Sequence, residues 1–170
     1  MHYGASADAA AQVLKELPGT GHVLVHADLA DPAAIQAMVD DAARDLGGID
    51  VLVNNAGVYH PHRIRETTYA EWQQAWADTL AVNLVGPSNV AWCAVRHMGR
   101  GGRIVNVSSR GAFRGEPNQP AYGASKAVIM SFTQSLARAL GPEVRAAVVL
   151  PHNEAESGPR GFVNTIPAMH

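Results

Sequence analysis

The sequence predicts a single α/β domain built on a parallel sheet. Short apolar segments rich in β-branched residues alternate along the chain with longer segments whose apolar residues recur at helical spacing. The segment at 49–53 is almost entirely apolar, which is typical of a strand covered on both faces. Together these features indicate βαβ units, whose right-handed crossovers bring the carboxyl ends of the strands to one side of the sheet.

The predicted elements follow one another in a regular order. Strands are predicted at 22–27, 49–53, 103–108 and 144–150, whereas residues 1–4 are too few for a strand of their own. Helices are predicted at 6–17, 32–46, 69–97 and 121–140. Asp31 before Pro32 and Thr68 before Tyr69 are N-cap signals for the second and third helices. Gly86-Pro87 should bend or interrupt the third helix.

Composition limits the classes of function. The chain has 170 residues, 16% of them charged, and a net charge of −2, which fits one globular domain without the basic excess typical of nucleic-acid binding. Its partners are therefore expected to be small molecules or copies of itself. The single cysteine, Cys93, lies in an apolar helical segment and indicates a buried thiol in a reducing, cytoplasmic setting. Neither secretion nor membrane insertion is expected.

The most informative segment runs from residue 104 to residue 130. It predicts a strand that ends in Ser108 and Ser109, then a loop, then a helix that opens with Tyr122 and Lys126 on one face. A nearby ammonium group lowers the pKa of a phenol, which would let Tyr122 exchange protons with a substrate oxygen near neutral pH. Ser109 is placed to hold that oxygen. Taken alone, Tyr122 and Lys126 could equally be a pair on the helix surface.

Polar residues also follow two other predicted strands. Asp28 comes after the strand at 22–27, and Asn54-Asn55-Ala56-Gly57 comes after the strand at 49–53. Open α/β sheets bind ligands at these carboxyl ends, although Asp28 could cap a turn and the asparagines could be ordinary turn formers. The histidine groups at 60–62 and 22–26 lack a third ligand at a recognisable spacing, so no metal site is predicted.

With these positions laid out, residues 1 to about 150 resemble the short-chain dehydrogenase/reductase family. Four features carry the resemblance: Asp28, the Asn54–Gly57 segment, Asn83, and Ser109 thirteen residues before the Tyr122-x-x-x-Lys126 pair. The resemblance implies a Rossmann-like, doubly wound parallel sheet and a proton-transfer site. Tyr122 would be the general acid/base, Lys126 would assist it, Ser109 would orient the substrate carbonyl, and Asn83 would hold a water in a proton relay.

The resemblance also implies a nicotinamide cofactor. Asp28 would meet its adenine, Asn55, Ala56 and Gly57 would line its cleft, and Tyr122 and Lys126 would reach its nicotinamide ribose. His2-Tyr3-Gly4-Ala5-Ser6 includes no acidic residue for a ribose 2′-hydroxyl, which favours NADP, with NAD as the alternative. The substrate would be a small carbonyl or alcohol, and family members commonly pair through the helices at 69–97 and 121–140, so a homodimer or homotetramer is expected. Nucleic acid and membrane are not expected partners.

The departures from the family pattern are equally specific. The Gly-rich turn that holds the pyrophosphate is missing from the sequence, so the first strand and most of the second are expected to be absent. The strand at 22–27 would then pair directly with the strand at 49–53, borrow a strand from another subunit, or be poorly held. Residues 151–170 are predicted as an irregular tail after the domain at 1–150, with Thr165 as a candidate cofactor contact.

Two functions from different classes follow from these features. The first is an NAD(P)-dependent oxidoreductase that reduces a carbonyl or oxidises an alcohol; the loop at 110–117 looks like that of carbonyl and 3-oxoacyl reductases. The second is a non-catalytic, truncated chain or pseudoenzyme that keeps the oligomerisation helices but cannot hold the pyrophosphate.

Overall fold

The computed structural model describes residues 1–151 and the backbone of residues 163–164. It contains six strands: β1 (His2–Tyr3), β2 (Val25–His26), β3 (Val51–Asn54), β4 (Gly102–Val107), β5 (Val144–Val149) and β6 (Val163–Asn164). It contains six α-helices: α1 (Ala7–Glu16), α2 (Pro32–Leu46), α3 (Tyr69–Leu80), α4 (Gly86–Val95), α5 (Gly111–Arg114) and α6 (Pro120–Leu140). A π-helical turn, Ala81–Val85, joins α3 to α4. The α/β class and the parallel pairing of the first five strands are confirmed.

The strands form two separate sheets. In the larger one the order is β3-β4-β5-β6, with β3, β4 and β5 parallel and β6 antiparallel to β5. In the smaller one β1 pairs in parallel with β2 through His2↔Val25 and Tyr3↔His26. Of the three alternatives for the strand at 22–27, direct pairing with 49–53 does not occur, because residues 2–3, expected to be too few for a strand, take that edge. Because β1 has only two residues, β2 can pair with it over only two residues.

Two apolar clusters hold the elements together. One joins α2 to α4 through buried residues that include Ile35 and Val90, and Ala27 at the end of β2 belongs to it. The other joins β4 and β5 to α4 and α6 around Ile104. Leu52 of β3 packs against both clusters, so it connects the helices beside the small sheet with the core of the large one.

Local sequence signals account for most helix boundaries. Asp31 caps α2 by accepting hydrogen bonds from the backbone N–H groups of Ala33 and Ala34, and Gly47 ends this helix with φ +77°. Thr68 and Glu71 form a capping box at the start of α3. The predicted bend near Gly86-Pro87 occurs as the π-helical turn just before them, where a proline cannot donate to the preceding turn.

Two predicted regions differ in detail. The loop between β4 and α6 includes the short helix α5. The tail predicted as irregular lies mostly outside the described residues, and within it Val163–Asn164 form β6. Thr165 also lies outside the described residues, and the division into a domain and a tail stays a prediction. In the part of the chain that the structure describes, no helix is both long and apolar enough to cross a bilayer.

Candidate active site

The carboxyl end of β4 and the first turns of α6 are joined by two side-chain hydrogen bonds. The Ser108 hydroxyl donates to the backbone carbonyl of Lys126 at 2.6 Å. The Lys126 ammonium group donates in return to the backbone carbonyl of Val107, with Nζ and O 2.9 Å apart. Both side chains are buried, so these bonds fix the position of the helix relative to the strand end.

Tyr122 and Lys126 lie on the same face of α6, as their spacing predicts. The Lys126 Nζ is 5.7 Å from the centre of the Tyr122 ring. Lys126 is only 6% exposed, and this burial lowers the pKa of its ammonium group. Among the residues that the structure describes, the Val107 carbonyl is the one acceptor for Nζ, which leaves two of its three N–H donors for other acceptors.

Ser109 lies just beyond β4 and is half-buried. Its hydroxyl accepts a hydrogen bond from the backbone N–H of Gly111 at 3.2 Å, at the beginning of α5. This short helix packs on the first turn of α6: a Cβ on Gly123 would stand 3.2 Å from the Gly111 carbonyl. The bond to Gly111 therefore holds Ser109 at the start of α5, and α5 packs against Gly123, the residue after Tyr122.

Asn83 sits in the π-helical turn and is 1% exposed. Its side-chain amide bonds both backbone groups of Val58: Oδ1 accepts from the Val58 N–H at 2.7 Å, and Nδ2 donates to the Val58 carbonyl at 2.9 Å. Nδ2 also lies 3.3 Å from the Ser125 hydroxyl on α6. Asn83 thus fixes the loop after β3 relative to the helix that carries Tyr122.

Gly57 brings these groups into one site. A Cβ at this position would stand 3.2 Å from the Asn83 Oδ1 and 3.5 Å from the Lys126 Nζ. A side chain here would therefore crowd the Asn83 Oδ1 and come into contact with the Lys126 Nζ, which favours glycine at the end of the Asn54–Gly57 segment.

Two clefts adjoin the ends of the short strands. One, of about 460 Å³, is lined by Asp28, Ala56 and Gly57 together with residues that follow β1. The other, of about 440 Å³, lies between the two sheets and is lined by Asn55 and Ala56 at one end. Asp28 also accepts a local hydrogen bond from the Ala30 N–H at 2.8 Å. This residue therefore caps a turn and also lines the cleft.

A family model described as short chain dehydrogenase matches residues 1–154. The chain belongs to the short-chain dehydrogenase family. Among relatives, the short-chain dehydrogenase/reductase eriH of Hericium erinaceus is 37% identical over 136 residues, covering 77% of this chain and 52% of that protein. The 3-oxoacyl-[acyl-carrier-protein] reductase FabG of Staphylococcus aureus is 33% identical over 144 residues, covering 82% of this chain and 57% of that protein.

Solved structures of other short-chain dehydrogenases share this fold. A crystal structure from Burkholderia cenocepacia, in complex with NADP, superposes with a TM-score of 0.78 at 36% identity. The match covers 88% of this chain and 61% of that one. The chain thus spans roughly half to three fifths of the length of these short-chain dehydrogenases, and the family and Rossmann-type fold expected from the sequence are confirmed.

Sequence reasoning missed two neighbours of the site. The Tyr59 ring contacts the Tyr122 ring edge-on, with centroids 5.3 Å apart. His62 is buried and bonds to the first turn of α6. The spacing of His60-Pro61-His62 bears only on metal binding, and it could not indicate that one histidine folds inward onto a helix residue 59 positions away.

Proposed function

We propose that this chain provides the proton-transfer half of an NADP-dependent oxidoreductase, which reduces a small carbonyl compound or oxidises the corresponding alcohol. The observation that carries this proposal is the burial of the Lys126 ammonium group 5.7 Å from the centre of the Tyr122 ring. The same group lies close to Gly57, which also adjoins the Asn83 side chain. If Tyr122 and Lys126 were only a stabilising pair on the helix surface, the Lys126 ammonium group would be exposed to solvent. A lysine kept out of water beside a phenol is the arrangement expected of a site that moves protons.

In the direction of reduction, the Tyr122 hydroxyl gives its proton to the substrate oxygen. The Lys126 ammonium group stabilises the phenolate that forms, because an opposite charge favours the ionised phenol. Ser109 donates a hydrogen bond to the same substrate oxygen and so holds the carbonyl in place. For Asn83 we propose two roles: it fixes the Val58 backbone and Ser125, and it supports the chain of hydrogen bonds that returns a proton to Tyr122.

The residues present fit two parts of a nicotinamide cofactor. Asp28, Ala56 and Gly57 line a cleft that could take the adenosine end, and the free N–H donors of Lys126 suit the hydroxyls of the nicotinamide ribose. When bound, the nicotinamide supplies or accepts the hydride. The described residues include no Gly-rich turn for the pyrophosphate.

NADP is the proposed cofactor for two reasons. Residues 4–6 after β1 carry no acidic side chain that would reject a 2′-phosphate. The Burkholderia cenocepacia relative was crystallised with NADP. For the substrate, the similarity to a 3-oxoacyl reductase favours a 3-oxo compound or a simple ketone. A homodimer or homotetramer is proposed from the family alone.

The first test replaces Tyr122 with phenylalanine, which removes one hydroxyl and little volume. We expect turnover of NADPH with a panel of ketones and 3-oxoacyl thioesters to fall about 10²- to 10⁴-fold, since general acid catalysis contributes that much. Tyr69→Phe is the matched control, because Tyr69 is 76% exposed at the start of α3 and its loss should leave turnover unchanged. Equal turnover by the Tyr122→Phe variant and the unaltered chain would remove Tyr122 from its role.

The second test separates the enzyme from the non-catalytic alternative. The purified chain is titrated with NADPH while the fluorescence of the nicotinamide is followed. Saturable binding that weakens on Asp28→Ala replacement supports the oxidoreductase. Absence of binding at millimolar NADPH favours a non-catalytic chain that keeps the oligomerisation helices.

A further inference from the structure

The beginning of α6 lacks the usual local cap. Gln119 is at the N-cap position but makes no side-chain capping bond, and Pro120 has no N–H. The Ala121 N–H is therefore the first backbone donor of this helix, and the residue is completely buried. A buried donor at a helix N-terminus needs an acceptor from somewhere, because water cannot reach it.

His62 supplies that acceptor from a distant loop. Its Nε2 accepts the hydrogen bond of the Ala121 N–H at 3.2 Å. Because a backbone N–H can only donate, Nε2 must be unprotonated, and the ring proton must lie on Nδ1, which donates to the His60 carbonyl at 2.6 Å. The ring is 2% exposed and is thus fixed as one neutral tautomer.

The same loop reaches α6 at two more points. The His62 N–H donates to the Asn118 carbonyl at 2.8 Å, just before the helix. Tyr59, three residues earlier, places its ring edge-on against the Tyr122 ring. The Trp72 ring of α3 packs edge-on against the His62 ring, with the ring centroids 5.4 Å apart. The loop therefore contacts the helix on both sides of Ala121.

We propose that His62 is a positioning residue for Tyr122, acting as a remote N-cap of α6 that sets where the helix begins and so where the phenol points. This inference rests on the proposed function of Tyr122. The ring's own contacts are uncharged: a carbonyl, an N–H and an indole. The titratable or charged residues that neighbour these contacts in sequence are Tyr59, His60, Arg63, Glu71, Glu116 and Tyr122.

A charged imidazolium could not perform this role. With both ring nitrogens protonated, Nε2 would face the Ala121 N–H donor to donor, and a positive charge would lie at the positive end of the helix dipole. The neutral side chain that best replaces it is glutamine, whose Oε1 reaches the position of Nε2. Asparagine is one methylene shorter and reaches only the position of Nδ1.

The test compares His62→Gln with His62→Asn, a pair that differs by one methylene, and uses His60→Leu as a control in the same loop. In His62→Asn the Ala121 amide should exchange its hydrogen about ten- to a hundredfold faster, since its buried donor loses its acceptor. The resonance of fluorotyrosine at Tyr122, assigned with Tyr122→Phe, should shift or split. His62→Gln and His60→Leu should leave both signals near those of the unaltered chain.

Amides of β4 report in each variant that the sheet remains folded. Unchanged Ala121 exchange in His62→Asn would overturn the remote cap, and so would an Nε2-protonated His62 in a nitrogen-15 spectrum of the unaltered chain at neutral pH. Faster Ala121 exchange with an unmoved Tyr122 signal would overturn the positioning role. These measurements need no substrate or cofactor, so they hold whether or not the proposed oxidoreductase activity is found.

Discussion

The two sheets of this molecule differ in how firmly they are held. The β1–β2 sheet rests on two residue pairs, and the helix between them, α1, buries only Ala10. In the large sheet β4 and β5 pair through six residues, and α6 covers them with a long buried face. Val13 on α1 is 45% exposed, whereas Ile104 on β4 is 1% exposed.

This difference divides the proposed site into two halves. Asn83, Ser109, Tyr122 and Lys126 all belong to the large sheet, its helices and the loops that join them. Asp28 belongs to the small sheet, just after β2. Groups that transfer protons must be held in place before the substrate binds. The packing around the large sheet holds the four residues of the first group in this way. Asp28, assigned to the adenosine end of a cofactor, follows a strand held by only two residue pairs, and its support comes from the neighbouring Ala27, which packs into the α2–α4 cluster.

The largest expected effect is on hydrogen exchange. Local opening requires little free energy where few apolar contacts are broken and up to the whole stability in a buried sheet. Amides of β4 and β5 should therefore exchange at least about 100-fold more slowly than those of β1, β2 and α1. Exchange measured by NMR or mass spectrometry resolves the two regions. Similar protection in both would show that the chain unfolds as one unit and would break the comparison.

A second effect, on global stability, comes from making the same change in each region. Val148→Ala in β5 removes two methyl groups from a residue that is 1% exposed and should lower the free energy of unfolding by about 2–3 kcal/mol. Val13→Ala in α1 should change it by no more than about 0.5 kcal/mol, because this side chain is already half in water. Urea denaturation measures both.

Equal losses from the two valine variants would mean that α1 is part of the same cooperative core. A changed urea dependence in Val13→Ala alone would instead indicate that the small sheet was already open before the main transition.

Much of this arrangement could be predicted from the sequence. The caps at Asp31 and Thr68 are local signals, and the observed helices α2 and α3 begin where they indicate. The side chains singled out on α6 share a face because helical geometry fixes the spacing of residues four apart. These predictions depended only on residues close together in the chain.

The features that sequence reasoning missed depend on distant partners. The length of β2 is set by the two residues of β1, and the role of His62 depends on Ala121, 59 positions away. The contact between Tyr59 and Tyr122 likewise requires the fold itself. A strand edge or an inward-pointing histidine leaves no periodic signal in the sequence, because the partner, not the local pattern, determines the structure.

The smallest expected effect concerns the two lysines of the chain, since Lys15 lies in α1 and Lys126 in α6. Burial lowers the pKa of Lys126, so the folded chain releases this proton at a lower pH than the unfolded chain does. Between the lowered pKa and the ordinary value of 10.5 the unfolded state binds more protons, and the free energy of unfolding should rise with pH. Lys126→Met should lack this rise.

Lys15→Met is the matched control, because Lys15 is exposed on α1. At neutral pH, Lys126→Met should alter the free energy of unfolding by no more than about 1.5 kcal/mol. The relief of an unpaired buried charge is offset by the bond that the Val107 carbonyl loses. NMR of carbon-13-labelled lysines should give two resonances, the Lys126 signal titrating at the lower pH. If both signals titrated at the same pH, water would reach the Lys126 ammonium group. The packing of α6 on the large sheet would then not shield Lys126 from solvent.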